Sequence, residues 1–327
     1  MNMKTISWSK SKLVLLGSVL FLSSFFFGGQ ANAAGALPVE NFSATNISTS
    51  SLQLNWTAAS GDQSTGYTVS SSLNNSVWAA ATTSTLVSTT LSFTTSTLSP
   101  NTFYYFKLWN NSFTPPPTST NFSTSTLAVP ATLTVGASTS TTIPLTINNG
   151  ANPDTASTTY AIYNATVGYY LASTGATTTG ITYFAKVAWN FGSAIGLKPS
   201  SSYQFQIIAR SQGGVDTATS TVTNATSTLS AIPGTVTASL VITSTATLTW
   251  TANNNPATVL YRVTGNNGFA AVDNMPVTKA LTGLTPNTSY TFGVQAYNPD
   301  GTLTGTSTAS AFSTSSTAPG TPDIPPL

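Results

Sequence analysis

One seven-residue pattern, Leu-x-Pro-x-x-x-Tyr, is written three times in this chain: LSPNTFY from Leu98 to Tyr104, LKPSSSY from Leu197 to Tyr203, and LTPNTSY from Leu284 to Tyr290. Successive copies begin 99 and 87 residues apart, about the length of one small domain. Length alone suits two domains, but an internal repeat outranks that prior and predicts three. A proline fixes φ near −65° and turns the chain. Downstream of each tyrosine, apolar residues alternate with polar ones: Tyr104, Phe106 and Leu108; Tyr203, Phe205, Ile207 and Ala209; Tyr290, Phe292, Val294 and Ala296. Period-2 alternation describes a strand with one buried face.

The upstream text repeats in the same order. LQLNW aligns Leu52, Leu54 and Trp56 on one face, ATLTW aligns Ala246, Leu248 and Trp250, and the middle copy offers Ile143, Leu145 and Ile147. A tyrosine-bearing strand comes next in each copy, with Tyr67, Tyr160 and Tyr261. These landmarks resemble the fibronectin type III domain. The resemblance implies an all-β chain of three tandem immunoglobulin-like sandwiches, in which Trp56, Tyr67, Tyr160, Trp250 and Tyr261 fill cores. It implies tyrosine corners at Leu98, Pro100 and Tyr104, at Leu197, Pro199 and Tyr203, and at Leu284, Pro286 and Tyr290, each phenol bonding to backbone a few residues upstream. The expected units are residues 37–128, 129–231 (divergent, with an insertion) and 232–318, followed by a Pro-rich tail at 319–327. The middle copy lacks the tryptophan and carries Pro144 in its strand, so that strand is expected to be irregular or to face an unpaired edge.

The first residues have a separate logic. Lys4, Lys10 and Lys12 precede an apolar run from Leu13 to Phe27, and Ala31 and Ala33 stand where a signal peptidase accepts small side chains. A run of that length is short for a membrane span. The reading is a signal peptide, residues 1–33, cleaved after Ala33, giving a secreted or cell-surface protein with no membrane span in the mature chain. What remains carries six basic and seven acidic residues. No basic stripe is present to replace phosphate counterions, so nucleic acid is not an expected partner.

Cysteine and histidine are both absent. Disulfides are therefore impossible, and so are the commonest general base, the usual zinc ligand and a Ser-His triad. Two or three carboxylates per unit, far apart in sequence, make a poor acid pair. We expect no enzyme, no catalytic residues, no cofactor and no metal; Asp216 and Asp300 read as turn residues. Tyr105, Trp109, Trp189, Phe191 and Tyr297 are the aromatics predicted to face outward, with Trp109, Trp189 and Tyr297 the candidate binding residues, where they could stack on a sugar or anchor a protein, although packing beneath a neighbouring strand, loop or domain is the commoner fate of such residues. Only 5% of residues are charged, against about 25% in soluble domains. Scarce charge leaves sheet edges unguarded and suggests a glycan coat or self-association. The expected function is a non-catalytic structural or adhesion protein built as a rod, with an unknown protein or polysaccharide partner; the alternative is a carbohydrate-binding accessory protein using the exposed aromatics.

Overall fold

The computed structural model describes residues 39–58, 65–81, 86–111, 120–155, 157–189, 192–309 and 311–317. The signal-peptide reading with Ala33, Phe191 and the tail at 319–327 lie outside them. Three hydrophobic cores form in sequence order. The first is enclosed by β1 (Glu40–Thr45), β2 (Leu52–Thr57), β3 (Tyr67–Ser72), β4 (Ala79–Ala80), β5 (Ser92–Thr95), β6 (Phe103–Asn110) and β7 (Thr120–Ser125). Two antiparallel sheets result, ordered β1-β2-β5 and β4-β3-β6-β7.

The second core lies among β8 (Thr132–Val135), β9 (Ile143–Asn148), β10 (Thr159–Asn164), β11 (Tyr169–Leu171), β12 (Thr177–Thr178), β13 (Phe184–Ala185), β14 (Ser193–Ala194), β15 (Ser202–Tyr203), β16 (Phe205–Arg210) and β17 (Thr226–Ser227). Its larger sheet runs β12-β11-β10-β13 with β16 also on β10, facing β14-β9-β8 and the pair β15-β17. The third comprises β18 (Val236–Ser239), β19 (Ala246–Trp250), β20 (Tyr261–Gly265), β21 (Val272–Met275), β22 (Thr278–Leu281), β23 (Ser289–Tyr290), β24 (Phe292–Ala296), β25 (Ser307–Thr308) and β26 (Phe312–Ser313). Its sheets are β18-β19-β22, β21-β20-β24-β25 and β23-β26.

Alternation decides which side chains meet. Leu52, Leu54 and Trp56 leave β2 on the buried side and meet Tyr67, Val69, Phe106 and Leu108 from the opposite sheet. Trp56 meets Tyr67 edge-to-face with centroids 5.5 Å apart, and Trp250 meets Tyr261 in the same way at 5.5 Å, the arrangement that the ring quadrupoles favour.

The middle unit reaches its core differently. Ile147 occupies the place of the tryptophan on β9, and the indole arrives instead from the insertion, after a single 3-10 turn at Lys186–Ala188. Trp189 is 9% exposed, stacks on Phe184 at 5.3 Å and donates its indole N–H to the Leu145 carbonyl at 2.8 Å. The expectation that Trp189 faces outward is therefore corrected. A core missing one large ring draws in another apolar side chain, because voids forfeit contacts.

Pro144 is also corrected. β9 is the central strand of its sheet, with Pro144 opposite Ser193 on β14. Toward β8 the proline carbonyl accepts from Gly136 N–H at 3.0 Å, one residue beyond the end of β8. The missing donor thus falls where that ladder ends. A Cβ on Gly136 would stand 3.0 Å from the proline Cβ, so a larger residue there fits only if the proline gives way slightly.

Trp189→Ala is expected to cost about 3–5 kcal/mol, read as a lowered denaturant midpoint. The Tyr160 phenol is 1% exposed, and burial, opposed in part by Thr158, pushes its pKa up to about 12. Its neutral form is the one the fold favours, so this stabilisation is complete below about pH 10 and is lost as pH rises from there through about 12. The loss is on the order of 2 kcal/mol. Thermal midpoints across that window should fall less steeply in Tyr160→Phe.

Candidate functional site

The repeated heptad folds into one joint, built three times. Between Leu98 and Tyr104 the chain passes from one part of the sandwich to β6, leaving backbone groups with no strand beside them. The Tyr104 hydroxyl accepts from the Ser99 N–H at 2.9 Å, Tyr203 from Lys198 at 2.9 Å and Tyr290 from Thr285 at 2.9 Å. A second hydroxyl comes from the end of each unit. Thr126 donates to the Ser99 carbonyl at 2.7 Å and accepts from Thr102 N–H at 3.0 Å. Thr228 does the same for Lys198 at 2.7 Å and Ser201 at 3.1 Å, and Thr314 for Thr285 at 2.6 Å and Thr288 at 3.0 Å.

Inside the turn, Thr102, Ser201 and Thr288 donate to the carbonyls of Pro100, Pro199 and Pro286. The residue after each proline has positive φ, 42° at Asn101, 46° at Ser200 and 50° at Asn287, a conformation asparagine tolerates better than most residues. Leu197 and Leu284 are buried in their cores, while Leu98 packs against the first core half-buried. These residues fix backbone and hold no reacting group.

Hydroxyls also replace a strand in the middle unit. Phe205, Ile207 and Ala209 donate their N–H groups to the side chains of Thr223, Ser220 and Thr217 at 3.0, 3.0 and 3.1 Å. The N–H groups of those three residues return to the carbonyls of Phe205, Ile207 and Ala209 at 2.9, 2.9 and 2.8 Å. A segment advancing three residues for every two of β16 pairs this way only because the side chain supplies the extra acceptor.

The outward aromatics have different surroundings. Trp109 is half-buried on the outer side of β6, opposite Thr68. The Tyr297 hydroxyl donates to Asp273 at 2.6 Å, with Arg262 3.5 Å from that carboxylate. In the middle unit Arg210 holds Asp216 through two bonds of 2.7 and 2.9 Å and lies 3.6 Å from the Tyr183 ring centre, while Tyr183 donates to Asp216 at 2.7 Å. Burial would raise the Asp216 pKa, but the guanidinium and the phenol hold it below the usual carboxylate range; Asp300, capping Thr302 N–H at 2.9 Å, is held low by its bonds from Thr302. Each of these carboxylates is engaged by a neighbour, and among the described residues no three acids gather to hold a cation.

Sequence reasoning missed the residues at the junctions. Asn101, 1% exposed, donates to Thr158 at 2.6 Å and accepts from Gln212 N–H at 2.7 Å, joining the first unit to the second. Asn152 accepts from Val129 N–H and donates to its carbonyl, both 2.8 Å. Asn255 grips Ala231 through the same two atoms at 2.7 and 2.8 Å. Ser230 is held twice by the third unit: its N–H donates to Asn298 at 2.8 Å and its hydroxyl to the Tyr297 carbonyl at 2.7 Å. The available signal was the Asn-Pro dipeptide, present at 152–153 and again at 255–256.

A family model described as the fibronectin type III domain matches residues 37–119 and 231–313. Endoglucanase B of Cellulomonas fimi is 33% identical over 132 residues, which cover 36% of this chain and 13% of that protein. Among solved structures, the FN1-FN3 domains of chicken CNTN1 align with 85% of this chain and 98% of theirs at 16% identity and a TM-score of 0.30. A two-domain fibronectin type III segment of chicken tenascin aligns with 56% of this chain and 95% of its own at 18% identity and a TM-score of 0.35.

Thr228→Val keeps the shape but strands the Lys198 carbonyl and the Ser201 N–H, and is expected to cost about 1–3 kcal/mol in urea unfolding. Thr221→Val, at an exposed position, should stay within about 0.5 kcal/mol.

Proposed function

Because the chain belongs to the fibronectin type III family, we propose that it is a non-catalytic spacer of the cell exterior, in which three modules, residues 37–128, 129–231 and 232–318, stand in a row as a stiff rod. The observation that carries this reading is the treatment of the junctions. Flexible linkers leave their backbone to water, whereas here Val129 and Ala231 are each held at both N–H and carbonyl by a buried asparagine. Asn101 and Asn298 add bonds across the two junctions. Export is part of the proposal and rests on the basic start, the apolar run and Ala33.

The non-catalytic reading is supported by the chemistry of the chain: it has no histidine or cysteine, and Asp154, Asp216 and Asp273 are each in an ion pair, with Lys186, Arg210 and Arg262 in turn. The stretch shared with a protein named an endoglucanase supports placing the rod among proteins directed at polysaccharide.

Small-angle scattering on the monomeric mature protein tests the rod. A compact globule of this length has a radius of gyration of about 19 Å, and the rod predicts a value well above it with a distance distribution tailing to large separations. Asn101→Ala with Asn298→Ala should broaden that distribution by loosening both joints. A wild-type value near the compact one contradicts the proposal.

A further inference from the structure

The three units present the same strand outward with different side chains. Taking the corner tyrosines as the common origin, the outward positions of β6 are Phe103, Tyr105, Lys107 and Trp109; the second unit has Ser202, Gln204, Gln206 and Ile208, and the third Ser289, Thr291, Gly293 and Gln295. In those two units the glutamines bend back to the adjoining segment: Gln204 donates to the Thr223 carbonyl, Gln206 to Ser220 and Gln295 to Thr304. The fold is therefore built twice without a ring at these places. The rings of the first unit answer no demand of the sandwich.

Their cross-strand neighbours are small, and Phe103, Tyr105 and Trp109 are each half-buried. Across β3 the partners are Ser72 beside Tyr105, Ser70 beside Lys107 and Thr68 beside Trp109, and across β7 they are Ser125 beside Phe103 and Ser123 beside Tyr105. Such short side chains leave part of each half-buried ring open to solvent. Phe103 and Tyr105 pack edge-to-face at 5.2 Å, and the Lys107 ammonium lies over the Trp78 ring, 4.0 Å from its centre. The result is a row along one strand, about 20 Å long at roughly 3.3 Å per residue.

We propose that this outer face of the first unit binds a neutral polysaccharide, the rings of Tyr105 and Trp109, about 13 Å apart along the strand, each stacking on the C–H face of a separate, non-adjacent sugar while Ser123 and Ser125 bond sugar hydroxyls. Lys107 carries the only charge among the described residues of β3, β4, β6 and β7. An anionic ligand would need more cations than that. A second copy of the chain fits less well, because the face has no carboxylate, so an isologous contact would bury Lys107 unpaired, and interface cores are depleted in serine and lysine. A hydrated sugar chain leaves the ammonium in water. This inference stands independently of the rod, since a flexible chain could carry the same face.

The test is co-sedimentation of the mature protein with microcrystalline cellulose, insoluble xylan and insoluble mannan. Wild type should be retained by at least one of them, equally at low salt and at about 0.5 M salt. Tyr105→Gln and Trp109→Gln introduce the residues that the other units carry at or next to these places, and each should lower retention about tenfold or more with an unchanged thermal midpoint; Trp109→Tyr, which keeps a ring, should retain binding and remains informative if the glutamine variant does not fold. Failure of all three polymers to retain the wild type overturns the proposal, as does undiminished retention in both glutamine variants. A wild-type dimer that Trp109→Gln converts to monomer would assign the face to a second copy and overturn it as well.

Discussion

A chain that crosses from one sheet of a sandwich to the other must bury backbone groups where no strand runs alongside, and every such unpaired group in the interior is costly. This protein meets that constraint with hydroxyls. At each of three corners a phenol accepts one amide and a threonine from the unit's last segment accepts another and donates to a carbonyl. The threonine closes the circuit, since it ties the end of the unit to the turn that precedes its penultimate long strand. Thr126 and Thr228 are 0% exposed and Thr314 is 3% exposed. No disulfide performs this service, and the chain has no cysteine to form one.

The same economy of groups runs through the rest of the molecule. Strand pairing beside β16 continues through Thr217, Ser220 and Thr223 although the spacing is wrong for a regular ladder. Junctions are held by asparagine amides, each offering one donor and one acceptor to a single linker residue. The abundance of Ser, Thr and Asn thus has a structural use beyond decorating a surface, and it accounts for part of the odd composition. Among the described residues, Asp154, Asp216 and Asp273 hold their charge in local pairs with Lys186, Arg210 and Arg262.

How legible each feature is in the sequence depends on its physics. Strand faces were legible because Leu52, Leu54 and Trp56, or Phe292, Val294 and Ala296, alternate against polar neighbours, and a period of two has one interpretation. The inward turn of Trp189 was not, since it depends on the volume that Ile147 leaves open and on the path of an insertion. Pro144 misled because its effect depends on where β8 ends, at Val135, and not on the proline itself. The closing threonines were hidden among dozens of similar residues, although a Ser-Thr pair recurs at 125–126, 227–228 and 313–314. Among the outward aromatics, Trp109 became interpretable only when the three units could be compared position by position.

The central claim is that these hydroxyls hold the corners closed, and amide hydrogen exchange followed by NMR tests it most directly. The N–H groups of Thr102, Ser201 and Thr288, which lie just outside the long strands and donate to Thr126, Thr228 and Thr314, should be protected as strongly as the strand amides of Phe106, Ile207 and Val294. Exchange at the rate of an open surface turn at all three positions would contradict the account.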